Sequence, residues 1–186
     1  MISNFWGQEI EPNEEEIVQY GLKILYSDFI GMIIFLIIGF IFNYTFDAFL
    51  LFCFIYPLRK YAGGFHAETK IGCYLLSCWL VLTVFYLVFI INWNNWLYLL
   101  TVVTCSIIIF LFSPVENYNK RLDQLQITKY KKRVRIILVA DSTLFWVAII
   151  GSWTAIKKII TACLLIGGVT ILAGKIKIKY TERGNI

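Results

Sequence analysis

One short polar stretch carries the residues of this sequence that are best suited to covalent chemistry. His66 is the only histidine among 186 residues, and Cys73 follows it seven residues later. Histidine titrates near neutral pH, and a cysteine that loses its proton to such a base becomes a strong nucleophile. Gly63 and Gly64 would allow the loop to fold back toward the sulfur. The pattern predicts a thiol nucleophile with a histidine base; the alternative is an interfacial histidine and a cysteine that only fills space.

The apolar residues on both sides of this stretch set the class of protein. Hydrophobic residues make up 59% of the chain and fall in long contiguous runs, which are typical of membrane helices and not of a single soluble core. The five cysteines show neither paired spacing nor a Cys/His cluster, so the sequence predicts no disulfide framework, no metal and no cofactor. We expect an all-α polytopic bundle of about six transmembrane helices.

The elements that must position the stretch follow from turn signals between the runs. Residues 1–28 are acidic, unlike a cleaved signal peptide, and predict an amphipathic interfacial segment whose helix starts after Pro12. Residues 29–186 form one predicted transmembrane domain. Its first apolar run, 29–58, predicts two helices that turn around residues 43–47, with Pro57 ending the second. The later predicted spans are 73–91, 96–112, 136–156 and 159–173.

The positions of the basic residues predict the orientation. With six spans and both ends in the cytoplasm, fifteen of the seventeen lysines and arginines lie inside, leaving only Lys157 and Lys158 outside. The sequence therefore predicts a multi-pass cell-membrane protein whose His66 and Cys73 face the cytoplasm. Cys73 would begin the third span, where the free N–H groups of a helix N-terminus favour a thiolate and a developing oxyanion.

The residues around the pair carry a resemblance to a known family. Arg59, Gly63, Gly64, His66 and Cys73 stand in the pattern R-x3-G-G-x-H-x6-C, and a Pro-Val-Glu-Asn segment leads into a basic loop. The pattern, the chain length and the hydrophobic layout resemble the AgrB family, the accessory-gene-regulator membrane endopeptidases of Gram-positive quorum sensing.

The resemblance implies a reaction and a partner. Cys73 would be the nucleophile and His66 the general base of a cysteine endopeptidase that cleaves the C-terminal tail of a small AgrD-like precursor peptide. An acyl-enzyme thioester would then be attacked by the precursor's own Cys or Ser, giving a cyclic thiolactone or lactone. Arg59 would anchor an anionic group, and Gly64 would meet a conformational requirement. Family members act as dimers, so a homodimer is also implied.

Further residues have both a functional and a structural interpretation. Ser77 lies one helical turn past Cys73 and could face it, or could bond to its own backbone. Lys131, Lys132 and Arg133 belong to a loop with seven basic residues between 120 and 135. This loop either anchors the topology and binds anionic membrane lipids, or docks the charged tail of the precursor. Without a soluble domain to present these charges, we expect no nucleic-acid partner.

Two other functions remain open from the residues alone. A small channel or transporter subunit without peptidase activity would line a polar path with Asp47 and Asp141, but the predicted midplane has few polar residues. An enzyme acting on lipid headgroups would need an acidic metal-binding motif, which the sequence lacks.

Overall fold

The computed structural model describes residues 2–3, 9–10, 14–65, 70–115 and 123–184, and these are almost entirely helical. Two short strands, β1 (Ile2–Ser3) and β2 (Glu9–Ile10), pair antiparallel. Six α-helices follow, and the third continues into a π-helical segment, Tyr86–Ile90. They are α1 (Glu14–Ile41), α2 (Thr45–Ala62), α3 (Lys70–Phe85), α4 (Asn95–Phe112), α5 (Gln124–Ile150) and α6 (Thr154–Gly184).

Helix α6 forms the centre of the bundle and packs against α2, α4 and α5. Small residues bring its backbone close to these neighbours. A Cβ atom on Gly167 would lie 2.9 Å from Leu58 Cδ2 of α2, and one on Gly168 would lie 3.3 Å from Cys105 Sγ of α4. Close approach through small residues is the usual way in which helices associate in membranes, where no hydrophobic effect drives them together.

The predicted break in the first long apolar run is confirmed. Helix α1 ends at Ile41, and α2 begins at Thr45 after a turn in which Asn43 has a φ of 61°. Asparagine adopts this left-handed conformation more readily than most residues, so the polar residues mark the turn for a physical reason. Helix α1 also runs without interruption through residues 28 and 29, and the division into two segments at that point stays a prediction.

Three predicted boundaries are wrong. Pro57 lies inside α2, which continues to Ala62, because packed neighbouring helices can accommodate one missing backbone donor. The basic loop becomes helical at Gln124. The last hairpin turns at residues 151–153, where Ser152 has a φ of 56°, and not at Lys157 and Lys158. Those lysines are the fourth and fifth residues of α6. A helix can include them because their long stems pack along it while the ammonium groups reach hydrogen-bond acceptors.

Two helices in the described part of the chain are long and apolar enough to cross a membrane by length and composition: Asn95–Phe112 and Thr154–Ile178. Two shorter apolar helical stretches, Leu25–Ile41 and Tyr74–Ile90, accompany them. Charged residues interrupt α2 and the first half of α5. The helical class is confirmed, whereas the count of six spans stays a prediction.

Candidate active site

The two residues predicted to do the chemistry lie at the edge of the described structure. Cys73 is the fourth residue of α3, so its backbone belongs to the first turn of the helix, close to the predicted span start. Its side chain lies outside the described part of the structure, and so does all of His66. The pairing of His66 with Cys73 therefore stays a prediction, and the surrounding residues define what the site can do.

Gly63 is the first residue after α2, and its backbone is held by contacts with Val115 in the segment that follows α4. Gly63 has a φ of 71° and forms a parallel bridge with Val115, whose N–H donates to the Ala62 carbonyl at 2.9 Å. A Cβ atom on Gly63 would overlap the Val115 carbonyl oxygen. Both the positive φ and the close approach therefore require glycine at this position.

The next two residues rest on α6. The Phe65 N–H donates to the Thr170 carbonyl at 2.9 Å, and a Cβ atom on Gly64 would lie 3.2 Å from Thr170 Cβ. One turn further along α6, Gly174 approaches so closely that its own Cβ atom would lie 3.0 Å from the Gly64 carbonyl carbon. The Lys177 ammonium lies 5.4 Å from the centre of the Phe65 ring. Helix α6 thus holds the backbone immediately before His66.

Arg59 and Ser77, both singled out from the sequence, come together in the structure. The Arg59 guanidinium donates to Ser77 Oγ at 3.3 Å, which joins α2 to α3 one turn after Cys73. This contact gives Ser77 a side-chain partner on another helix. Arg59 is therefore placed to orient the start of α3, next to the predicted nucleophile.

Two tyrosines attach the same region to α1. Tyr74, the residue after Cys73, donates from its hydroxyl to Ser27 Oγ at 3.0 Å, and Tyr56 of α2 donates to Asp28 Oδ2 at 3.0 Å. Because Ser27 and Asp28 are adjacent, α2 and α3 are both tied to one turn of α1. The start of α3 is consequently held by hydrogen bonds from two helices.

The three basic residues predicted to bind substrate do not share one environment. Lys131 and Lys132 are exposed on α5. Arg133 instead turns toward α2, where it donates to the Tyr61 hydroxyl at 2.6 Å and lies 4.8 Å from the centre of that ring. Arg133 therefore attaches α5 to α2, and a docking role for Lys131 and Lys132 stays a prediction.

The metal and transport alternatives depend on the polar groups among the helices. No group of three His, Cys, Asp or Glu side chains in the described part of the chain could hold a metal ion. Asp141 is 3% exposed, and its Oδ2 atom has no hydrogen-bond partner among the described residues. The hydroxyls of the buried Thr161 and Thr170 bond to carbonyls of their own helix.

Comparisons with known proteins place the chain. A family model described as Accessory gene regulator B matches residues 1–173. The chain belongs to the AgrB family. Two similar proteins are from Clostridium perfringens: Putative AgrB-like protein 2 of strain 13, which is 31% identical over 132 residues, and Putative AgrB-like protein of strain SM101, which is 31% identical over 144 residues.

The matches cover 67% and 73% of this AgrB-family chain but only 60% and 66% of the two relatives' own lengths. No solved structure matches the chain. Family membership, together with the two long apolar helices, identifies a membrane protein of the accessory gene regulator quorum-sensing system.

Sequence reasoning about this AgrB-family chain missed the residues that hold the loop. Val115, Thr170 and Gly174 contact Gly63–Phe65, yet each is at least 50 residues away along the chain. The only local signal is a pair of small residues four apart on α6, which is common in membrane helices and points to no particular partner.

Proposed function

We propose that this AgrB-family protein is a membrane cysteine endopeptidase that removes the C-terminal tail of a small AgrD-like precursor peptide. Cys73 is the nucleophile and His66 is its general base. The observation that best supports this proposal is the fixed backbone of Gly63–Phe65, which leads directly into His66 and is bonded to Thr170 of α6. Packing of this kind restricts where the histidine can lie, and a nucleophile needs its base within hydrogen-bond reach.

The reaction follows acyl-transfer chemistry. The Cys73 thiolate attacks the carbonyl carbon of the scissile peptide bond, and the N–H groups in the first turn of α3 favour both the thiolate and the oxyanion that forms. The His66 imidazolium protonates the leaving amine as the C–N bond breaks, which releases the tail and leaves a thioester on Cys73. An internal Cys or Ser of the precursor then attacks this thioester, forms the ring and returns the Cys73 thiol.

The contacts around Arg59 support a positioning role in this scheme. By donating to Ser77, Arg59 fixes the turn of α3 that follows Cys73. The hydrogen bond from Tyr74 to Ser27 attaches the same part of α3 to α1. A nucleophile on a restrained helix turn keeps its geometry during attack, and small displacements of reacting groups cost large factors in rate.

The membrane arrangement is part of the same proposal. The chain crosses the cell membrane several times with the His66 and Cys73 loop facing the cytoplasm, as the distribution of lysine and arginine supports. A site at the membrane interface also limits the access of water to the thioester, which favours ring formation over hydrolysis. A homodimer and an AgrD-like peptide are the proposed partners.

Co-expression with a candidate precursor tests the nucleophile. Cys73→Ala should abolish cleavage and the covalent thioester detected by mass spectrometry. Cys78→Ala is the matched control, because Cys78 is a half-buried, unpaired cysteine on the same helix and should keep full cleavage. Cleavage by the Cys73→Ala protein would exclude the acyl-enzyme route.

A second variant tests the base. His66→Ala should insert into the membrane as the wild type does, yet fail to form the thioester. The pH dependence of Cys73 alkylation reports the same pair without any substrate, because loss of the histidine should shift thiolate formation to higher pH. An unchanged alkylation profile together with unchanged cleavage would remove His66 from the mechanism.

A further inference from the structure

A groove runs along α5, and the described residues that line it all belong to that helix. Its volume is about 530 Å³, and the described residues that line it recur every three or four positions, so they share one helix face. All of them are exposed. They are Thr128, Lys131, Lys132, Arg135, Ile136 and Val139.

A contact between helices gives the depth of this groove in the membrane. The Arg135 guanidinium lies 4.9 Å from the centre of the Phe110 ring, and Phe110 is two residues before the end of α4 at Phe112. Since α4 is long and apolar enough to span a membrane, Arg135 lies level with the end of a span. At 1.5 Å per residue, Lys131 lies about 6 Å toward water and Val139 about 6 Å toward the hydrocarbon.

The groove is therefore charged at its outer part and apolar at its inner part, which matches the headgroup and the acyl chain of a phospholipid. Its outer part carries three cations and one hydroxyl, and its inner part carries the exposed apolar side chains of Ile136 and Val139. A water-soluble acidic peptide would use the outer part and leave the inner part unoccupied. The neighbouring Arg133 does not line the groove, because it points toward α2 and bonds to the hydroxyl of Tyr61 there.

We propose that this groove binds one anionic phospholipid from the leaflet at the N-terminal end of α5. The phosphate lies against Lys131, Lys132 and Arg135, and an acyl chain follows Ile136 and Val139. The cation–π contact with Phe110 holds Arg135 in place before the lipid arrives, which lowers the entropy lost on binding. This site is independent of the proposed peptidase reaction, and the described residues that line it all belong to α5.

Binding of defined lipids to the full-length protein in a neutral detergent tests the proposal. Native mass spectrometry should show one dioleoylphosphatidylglycerol per chain, whereas dioleoylphosphatidylcholine and the chain-free headgroup glycerophosphoglycerol should bind at least tenfold more weakly. Lys131→Gln should weaken phosphatidylglycerol binding about fivefold, because one lysine near anionic lipid is worth about 1 kcal/mol. Lys129→Gln, an exposed lysine of the same helix outside the groove, should change it less than twofold.

A photoactivatable phosphatidylglycerol with a diazirine in its acyl chain gives a second measurement on the wild-type protein. Its crosslinks should map to residues 136–143. Crosslinks confined to other helices would overturn the site, and so would equal effects of Lys129→Gln and Lys131→Gln. Binding of a glutamate-rich peptide that depends on Lys131, without any binding of phosphatidylglycerol, would instead identify a peptide surface.

Discussion

The two ends of the bundle are held together by different kinds of contact. At the end that carries Gly63–Phe65, backbone groups contact other backbone groups, whereas at the opposite end lysine side chains bond to a backbone carbonyl and to an asparagine side chain. The Gly63 bridge to Val115 and the Phe65 bond to Thr170 involve only backbone atoms. At the other end, Lys158 Nζ donates to the Phe89 carbonyl at 2.9 Å, and Lys157 Nζ donates to Asn95 Oδ1 at 2.8 Å.

The difference shows where the fold requires accuracy. Contacts between backbones leave no rotatable stem to absorb an error, and the glycines leave no space for a side chain. A lysine reaches its acceptor through four flexible bonds and can adjust to small shifts. The Phe89 carbonyl lies in the last turn of the π-helical segment, where donors within the helix run out, so a flexible donor from α6 is sufficient there.

The largest effect is expected at Gly63. Gly63→Ala places a methyl group on the Val115 carbonyl oxygen and forces a positive φ on a residue with a side chain, so it should destabilise the protein by about 3 kcal/mol or more. Melting in detergent measures the loss, and cleavage of a co-expressed precursor should disappear with it. Gly21→Ala is the control, since no atom outside the adjoining backbone of α1 lies within 4 Å of the added carbon. If the Gly63→Ala protein melted at the same temperature as the wild type, the tight backbone packing at Gly63 would be contradicted.

A smaller and more selective effect is expected on α6. Gly174→Ala and Gly168→Ala each add a methyl group to a tight contact of the central helix, so each should cost about 1–3 kcal/mol in melting experiments. Only Gly174 touches the backbone before His66, whereas Gly168 packs against Cys105. Cleavage should therefore fall at least tenfold for Gly174→Ala and stay within twofold for Gly168→Ala. Equal cleavage by the two variants would mean that α6 does not position the loop.

The smallest effect is expected at the lysine end. Lys158→Met removes the donor to the Phe89 carbonyl but keeps a long stem, and should cost about 1 kcal/mol in melting experiments without changing cleavage. Lys157→Met removes a hydrogen bond to the Asn95 side chain and leaves no backbone carbonyl without its donor. It should therefore lower the free energy of unfolding by less than Lys158→Met. If either variant lowered cleavage as much as Gly174→Ala does, the lysine contacts would matter for the reaction as much as the backbone contacts of Gly63–Phe65, and the proposed difference between the two ends would be wrong.

Local chemistry predicted some of this structure well. The polar residues around Asn43 indicate the turn between α1 and α2, and the predicted span 96–112 begins one residue after the observed start of α4 at Asn95, because turn preferences act within a few residues. Pro57 and the lysine pair were misread as helix ends for the same reason: local rules do not include neighbouring helices that compensate for a missing bond or accept an ammonium group.

The candidate site was predictable only in part. Arg59, Gly63 and Gly64 could be singled out because they form a short motif with His66 and Cys73. Their partners could not, since Thr170 is more than 100 residues from Gly64 and its hydrogen bond from the neighbouring Phe65 N–H uses a backbone carbonyl, which every residue possesses. The contact depends on how α6 packs, which hydrophobic periodicity does not specify.

The continuity of α6 has a consequence for chain length. Lys158, which bonds to the Phe89 carbonyl, and Thr170, which bonds to Phe65, lie on this one helix, twelve residues or about 18 Å apart. One inserted residue between them would rotate everything after it by about 100° and carry Thr170 and Gly174 away from Gly64. We therefore expect insertions and deletions among relatives to be absent from residues 158–170, which would make this interval the part of α6 with the most constant length.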